Sequence, residues 1–162
     1  MNRWGRIAPG AFENGNFRCF GTREHDIIIV EKTEGEKFWC FGGAESTDKA
    51  WRTPEVSWWA REQADQKEFD YGYKTFSKNW DTIDYMVSHA APAQVANFLP
   101  GCRGTSDTEQ FLNRVWWLNQ RMIPHFCGHM HHDFHYDYNG YDVWILYKEI
   151  IELPSSKLDK ED

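Results

Sequence analysis

The sequence predicts an α/β (α+β) domain with much antiparallel sheet, and three observations carry that expectation. Two apolar runs, Ile27-Ile-Ile-Val30 and Phe38-Trp-Cys-Phe41, flank the turn-like Lys32-Thr-Glu-Gly-Glu36. Such a pattern reads as a β-hairpin entering a core. Ser106-Asp-Thr-Glu109 has the spacing of a capping box, and Phe111, Val115 and Leu118 follow at helical intervals. Near the C-terminus, Phe134–Tyr138 and Tyr141–Tyr147 flank Asn139-Gly140, a pair that tolerates positive φ at both centres of a two-residue turn.

The remaining elements fall between these. Phe69, Tyr73, Phe76 and Trp80 recur at spacings of four, three and four, which predicts one apolar helical face within a helix over 58–80. Asp84-Tyr-Met-Val-Ser88 reads as a short buried strand ending at His89, because Pro92 blocks regular continuation. Ile123 to Cys127 reads as another strand. Trp58, Trp59, Trp116 and Trp117 are expected in the core. One domain over 1–153 with a polar tail over 154–162 accounts for the chain.

Composition limits function. The 162 residues are enough for one real core, and 17% aromatic content with nine Trp excludes a disordered chain. A formal net charge of −7 argues against a general nucleic-acid binder or an anionic-membrane binder. No apolar run is long enough to span a bilayer, and MNRWGRIAPG lacks the apolar stretch of a signal peptide. The expected location is therefore cytoplasmic. Four separated cysteines without a C-x-x-C predict reduced thiols.

The densest chemical signal is HFCGHMHHDFH, His125 to His135, which packs five of the seven histidines into eleven positions. It begins on a strand and breaks into a loop at Gly128. Neutral imidazole is the commonest transition-metal ligand at neutral pH, and on a strand His129 and His131 would point the same way. A polar, half-exposed histidine cluster is the alternative. Upstream, Ile83-Asp-Tyr-Met-Val-Ser-His-Ala-Ala-Pro92 delivers His89 to a strand end before a loop of small residues.

Together, IDYMVSHAAP and Gly128-His-Met-His131 resemble the last two motifs of the calcineurin-like metallophosphoesterases. FGGAESTDKAWR (Phe41–Arg52), Ser57-Trp-Trp59 with Glu62, and the LYKEIIEL ending at Leu153 are similar to a bacterial and phage phosphoesterase branch of that superfamily. The resemblance runs over about 4–153. It implies a partial metallophosphoesterase-type β-sandwich flanked by helices, ending in an antiparallel hairpin. It also implies phosphate-ester hydrolysis with divalent manganese, iron or zinc. By position, His89 and His129 resemble ligands of one ion and His131 a ligand of the other. Asp48 and Arg52 are candidates to touch the phosphate or its leaving group, with a structural ion pair as the alternative.

The family's Asp-x-His, Gly-Asp and Gly-Asn-His motifs do not precede this stretch. Asn14-Gly-Asn16 lacks the following histidine, and Asp133-Phe-His135 lies after the histidine motif rather than before it. His25, His125 and His132 are not expected as ligands. Three readings follow, in order. The first is a phosphoesterase-family fragment carrying the histidine half of a binuclear site, weakly active or inactive alone. The second is a non-catalytic protein-binding module on the same scaffold. The third is a mononuclear three-histidine zinc hydrolase. The first carries an expectation of self-association or of a complementing N-terminal segment, because missing strands would leave sheet edges open.

Overall fold

Four of the seven sheet strands among the described residues run parallel; parallel neighbours cannot be joined by tight turns, so helices make two of the crossovers between them and an antiparallel hairpin strand fills the third. The computed structural model describes residues 17–20, 28–32, 36–46, 49–149 and 151. β1 (Phe17–Phe20), β2 (Ile28–Lys32) and β3 (Lys37–Phe41) form an antiparallel meander. From β3 the chain passes through α1 (Gln66–Asn79) to β4 (Tyr85–Ser88), and then through α2 (Ala93–Ala96) and α3 (Asp107–Leu118) to β5 (His125–Cys127). β6 (Phe134–Tyr138) and β7 (Tyr141–Ile145) close the sheet as a hairpin, in the spatial order β1-β2-β3-β4-β5-β7-β6. Strands β3, β4, β5 and β7 are mutually parallel, so their carboxyl ends lie along one edge.

Local chemistry explains where the elements begin and end. Ser106 and Glu109 make the expected capping box at α3: the Glu109 N–H donates to Ser106 Oγ at 3.2 Å, and the Ser106 N–H donates to the Glu109 carboxylate at 2.9 Å. A second box, Asp65 with Glu68, starts α1 at Gln66. That cap corrects the expected start near residue 58, and the preceding 60–62 stretch is a single 3-10 turn. Asn139 and Gly140 take φ of 51° and 81°, which is the left-handed geometry a two-residue hairpin turn requires. A Cβ at Gly104 would run into the Ala93 carbonyl, so glycine there lets the α2–α3 connection lie against α2.

The core lies between one sheet face and the helices. Trp39, Phe41 and Met86 meet Phe76 of α1 and Phe111, Leu112 and Val115 of α3. The rings of Phe41, Phe69 and Phe111 pack with centroids 4.7–6.0 Å apart. On the neighbouring half, Val95 and Ala96 of α2 and Trp116 of α3 cover Cys127, Tyr136, Val143 and Ile145. Each fully buried large side chain contributes roughly 1.5–3 kcal/mol.

Several expected core aromatics are not in it. The inward stripe of α1 is Gly72 and Phe76, both buried, with Phe69 partly buried beside them, leaving Tyr73, one residue further round the helix, exposed. Trp80 sits at the C-cap, beyond the buried face, and is also exposed. Trp116 is buried but Trp117, the next residue, is 53% exposed. Trp58 and Trp59 are only partly buried, because their segment is a loop. The opposite sheet face carries Phe38, Tyr85 and Phe126, with Phe38 and Tyr85 stacked at 5.2 Å. A second sheet of a sandwich is not found among the described residues. The expected hairpin of β2 and β3, the β4 strand ending at Ser88 and the C-terminal hairpin are all present. No helix among the described residues is long and apolar enough to cross a membrane. Cys102 and Cys127 are free thiols.

Candidate functional site

Ligands of open parallel sheets gather at the carboxyl ends of the strands, where loops diverge while the sheet holds their roots. Here the sheet hydrogen bonding runs one step past those ends. The His89 N–H donates to the Phe41 carbonyl at 3.2 Å, and the Gly128 N–H donates to the His89 carbonyl at 3.0 Å. His89, leaving β4, is therefore pinned between the exits of β3 and β5. Gly128 has ordinary van der Waals room, with its Cβ position 3.5 Å from the Leu146 carbonyl oxygen.

His129 turns toward that pinned residue. Its Nδ1 lies 3.3 Å from His89 Nε2, and its Nε2 lies 3.0 Å from the Glu45 carbonyl oxygen. A carbonyl only accepts, so His129 Nε2 carries the proton and Nδ1 presents a lone pair. A histidine that gives its other N–H to a backbone carbonyl is oriented as metal-ligating histidines are. Two nitrogens each about 2.0–2.1 Å from a tetrahedral zinc would sit roughly 3.3 Å apart. The pair thus fits two corners of a cation site.

Loss of hydration, and then repulsion from His129 and His131, hold the His89 imidazole down to about 4, although the residue is open to solvent on one side. It is neutral at pH 7, as a ligand must be.

His131 does not join the pair directly. Its ring stacks on Tyr147 at 5.2 Å, 25° from parallel. The expectation that His129 and His131 share a strand face is corrected by the backbone: both lie in the loop after β5, with φ of 67° and 53°. Two non-glycine residues in the left-handed region within three positions is a costly local geometry, and such geometry concentrates at functional sites. Among the described residues, no three His, Cys, Asp or Glu side chains converge into a cation-binding group.

The other candidates are placed as follows. Asp48 lies outside the described residues. Arg52 is exposed and its Nη1 donates to the Ser57 carbonyl at 3.0 Å. It belongs to a loop closed where the Ala44 N–H donates to the Glu62 carbonyl at 3.0 Å, next to the Glu45 carbonyl that holds His129. Lys49 covers the Trp58 ring at 4.3 Å in the same loop. Asp133 and His135 do not act together: Asp133 accepts the backbone N–H groups of Tyr147, Lys148 and Glu149, while His135 Nε2 contacts Asp142 at 2.6 Å. Asn14 to Asn16 and His25 are outside the described residues.

Two contributors carry no local sequence signal. One is the Glu45 carbonyl, a main-chain group. The other is the buried pair beneath the site, Ser88 Oγ and His125 Nε2 at 2.7 Å. Ser88 was readable only as the residue before His89, and its partner depends on the β4–β5 register. No protein-family model, curated protein or solved structure matches the chain.

Proposed function

We propose that the chain is a metal-dependent phosphoesterase of calcineurin-like type, carrying the histidine half of a binuclear site and weakly active or inactive alone. The observation that carries this reading is the His89–His129 pair: two imidazoles from adjacent strand ends, 3.3 Å apart, one of them oriented by a backbone carbonyl. His131 is the third ligand of this reading and must leave Tyr147 to serve. A divalent zinc, manganese or iron ion bound there would supply Lewis-acid charge to a phosphoryl group.

The chain's own residues set the stage for that chemistry. Phe41 and Gly128 fix the His89 backbone, and Glu45 fixes the His129 tautomer. Arg52, on the loop that rises beside Glu45, is suited to bidentate contact with a phosphate. Lacking a carboxylate from the family's earlier motifs, three neutral ligands leave the ion's charge uncompensated, so affinity and rate are both low.

Titration calorimetry with zinc, together with elemental analysis, tests the reading. At most about one equivalent is expected, weakly held. His89→Ala and His129→Ala should each abolish binding, and hydrolysis of an aryl phosphate by the unmodified chain should stay near background. Two tightly held ions, or binding indifferent to both substitutions, would overturn it.

A further inference from the structure

The loop after β5 carries two of the three proposed ligands, and it is tight. The Met130 N–H donates to the Gly128 carbonyl at 2.8 Å, which closes a three-residue turn centred on His129. With one residue between them, His129 and His131 have Cα atoms at most about 7 Å apart. Both rings therefore leave one short turn, yet they take different partners. His129 meets His89, Nδ1 to Nε2 at 3.3 Å, whereas His131 lies on Tyr147 with ring centroids 5.2 Å apart and planes 25° from parallel. That separation and tilt belong to the offset-stacked arrangement that aromatic rings prefer.

Tyr147 is the fixed member of the stack. The Leu146 N–H donates to the Cys127 carbonyl at 2.8 Å, tying the chain just before the tyrosine to the end of β5. The Tyr147 N–H itself donates to Asp133 Oδ1 at 2.7 Å, and the N–H groups of Lys148 and Glu149 follow it to the same carboxylate. The side chain is nevertheless 54% exposed. A ring that is held by its backbone and not by burial can be removed without opening the core. Its stacked imidazole sits on the loop, where the turn can carry it either way.

We propose, on the basis of the metal-site reading above, that Tyr147 is a latch that parks His131 outside the site, so that a divalent ion gains its third ligand only by displacing that imidazole from the tyrosine ring. Tyr147 is then a positioning residue that acts through His131 and lowers the affinity of the site. An aromatic stack of this kind opposes the exchange by roughly two- to twelvefold in affinity. His89 and His129 are placed by bonds to the main chain of Phe41, Gly128 and Glu45, so removing the tyrosine ring leaves those two corners where they are.

Zinc titration calorimetry on the full chain reads the latch. Tyr147→Ala should bind zinc roughly two- to twelvefold more tightly than the unmodified protein, and Tyr147→Phe, which keeps a ring to stack on, should bind as the unmodified protein does. In a His131→Ala background the Tyr147→Ala change should have no effect, because the ring acts only through that imidazole. Proton NMR supplies a readout other than affinity. The His131 ring protons, shifted by the Tyr147 ring current in the absence of zinc, should move to ordinary positions as zinc is added and should already lie there in Tyr147→Ala. Circular dichroism confirms that each variant remains folded. Zinc held through His89 and His129 with no gain in Tyr147→Ala, or an equal gain in the His131→Ala background, overturns the latch and leaves the metal-site reading standing. Zinc that binds to none of these chains overturns both.

Discussion

Ser88 Oγ and His125 Nε2 lie 2.7 Å apart inside the sheet, directly beneath the residue that carries the candidate ligand His89. Ser88 Oγ also donates to the Ala90 carbonyl at 2.5 Å, so the hydroxyl proton is committed and His125 must be the donor to Ser88. His125 is fully buried, and its Nδ1 has no partner. The pair ties the exit of β4 to β5, holding in place the strand ends from which His89 and His129 project.

Acid sensitivity follows from that burial. Desolvation pushes the His125 imidazole down to about 3, below an ordinary value of 6.5. Between those values the unfolded chain binds a proton that the folded chain refuses. Stability from this group is therefore complete above about pH 6.5 and is lost as pH falls toward 3, by roughly 1 kcal/mol per pH unit. His89, lowered for related reasons, adds in the same direction. Urea midpoints measured from pH 7 to pH 4 should fall steeply in the unmodified chain and less steeply in His125→Leu. Equal slopes would show that the loss comes from elsewhere.

The loop after β5 offers a separation of stability from ligation. His129 and His131 hold φ of 67° and 53°, where a Cβ is costly and glycine is not. His131→Gly should therefore be more stable than His131→Ala by about 1 kcal/mol, while both lose the same imidazole. Paired denaturation curves check this, and indistinguishable midpoints would mean that the left-handed backbone is not a constraint in solution.

Much of the fold was legible because its signals are local. Asn139-Gly140 specifies its turn, and Ser106 with Glu109 specifies a helix start, through contacts that span two or three residues. The convergence of His89 and His129 was legible in part, since each stands just past a readable strand. What escaped reading depends on tertiary arrangement. The direction of His131 depends on a positive φ that histidine does not advertise, and the Ser88–His125 pair exists only because β4 and β5 adopt one parallel register. Periodicity also overcounted the core: Tyr73, Trp80 and Trp117 fit an apolar pattern, yet each lies beyond the stripe that meets the sheet.

Asp133 provides a last discrimination, between a ligand and a cap. Its carboxylate Oδ1 accepts from the Tyr147 N–H at 2.7 Å, the Lys148 N–H at 2.9 Å and the Glu149 N–H at 3.1 Å, organising the chain as it leaves β7. The Tyr147 and Glu149 N–H bonds lead in holding its pKa below the usual aspartate range. A depressed folded value means that the stabilisation is present above an ordinary carboxyl pKa and is lost as pH falls through the lower folded one. Asp133→Ala should accordingly lower the unfolding midpoint at pH 7, with the deficit shrinking below about pH 4. If Asp133 is a cap, the same substitution leaves zinc affinity unchanged, because the His89–His129 pair is untouched. Loss of zinc binding in Asp133→Ala, with folding intact, would instead make Asp133 the missing carboxylate of the site. Tyr147 links the two outcomes, since it carries one capped N–H and also the ring on which His131 stacks. Unchanged zinc affinity therefore also requires that His131 stay stacked on Tyr147 when Asp133 is removed, and a rise in affinity would show that the cap holds His131 away from His89.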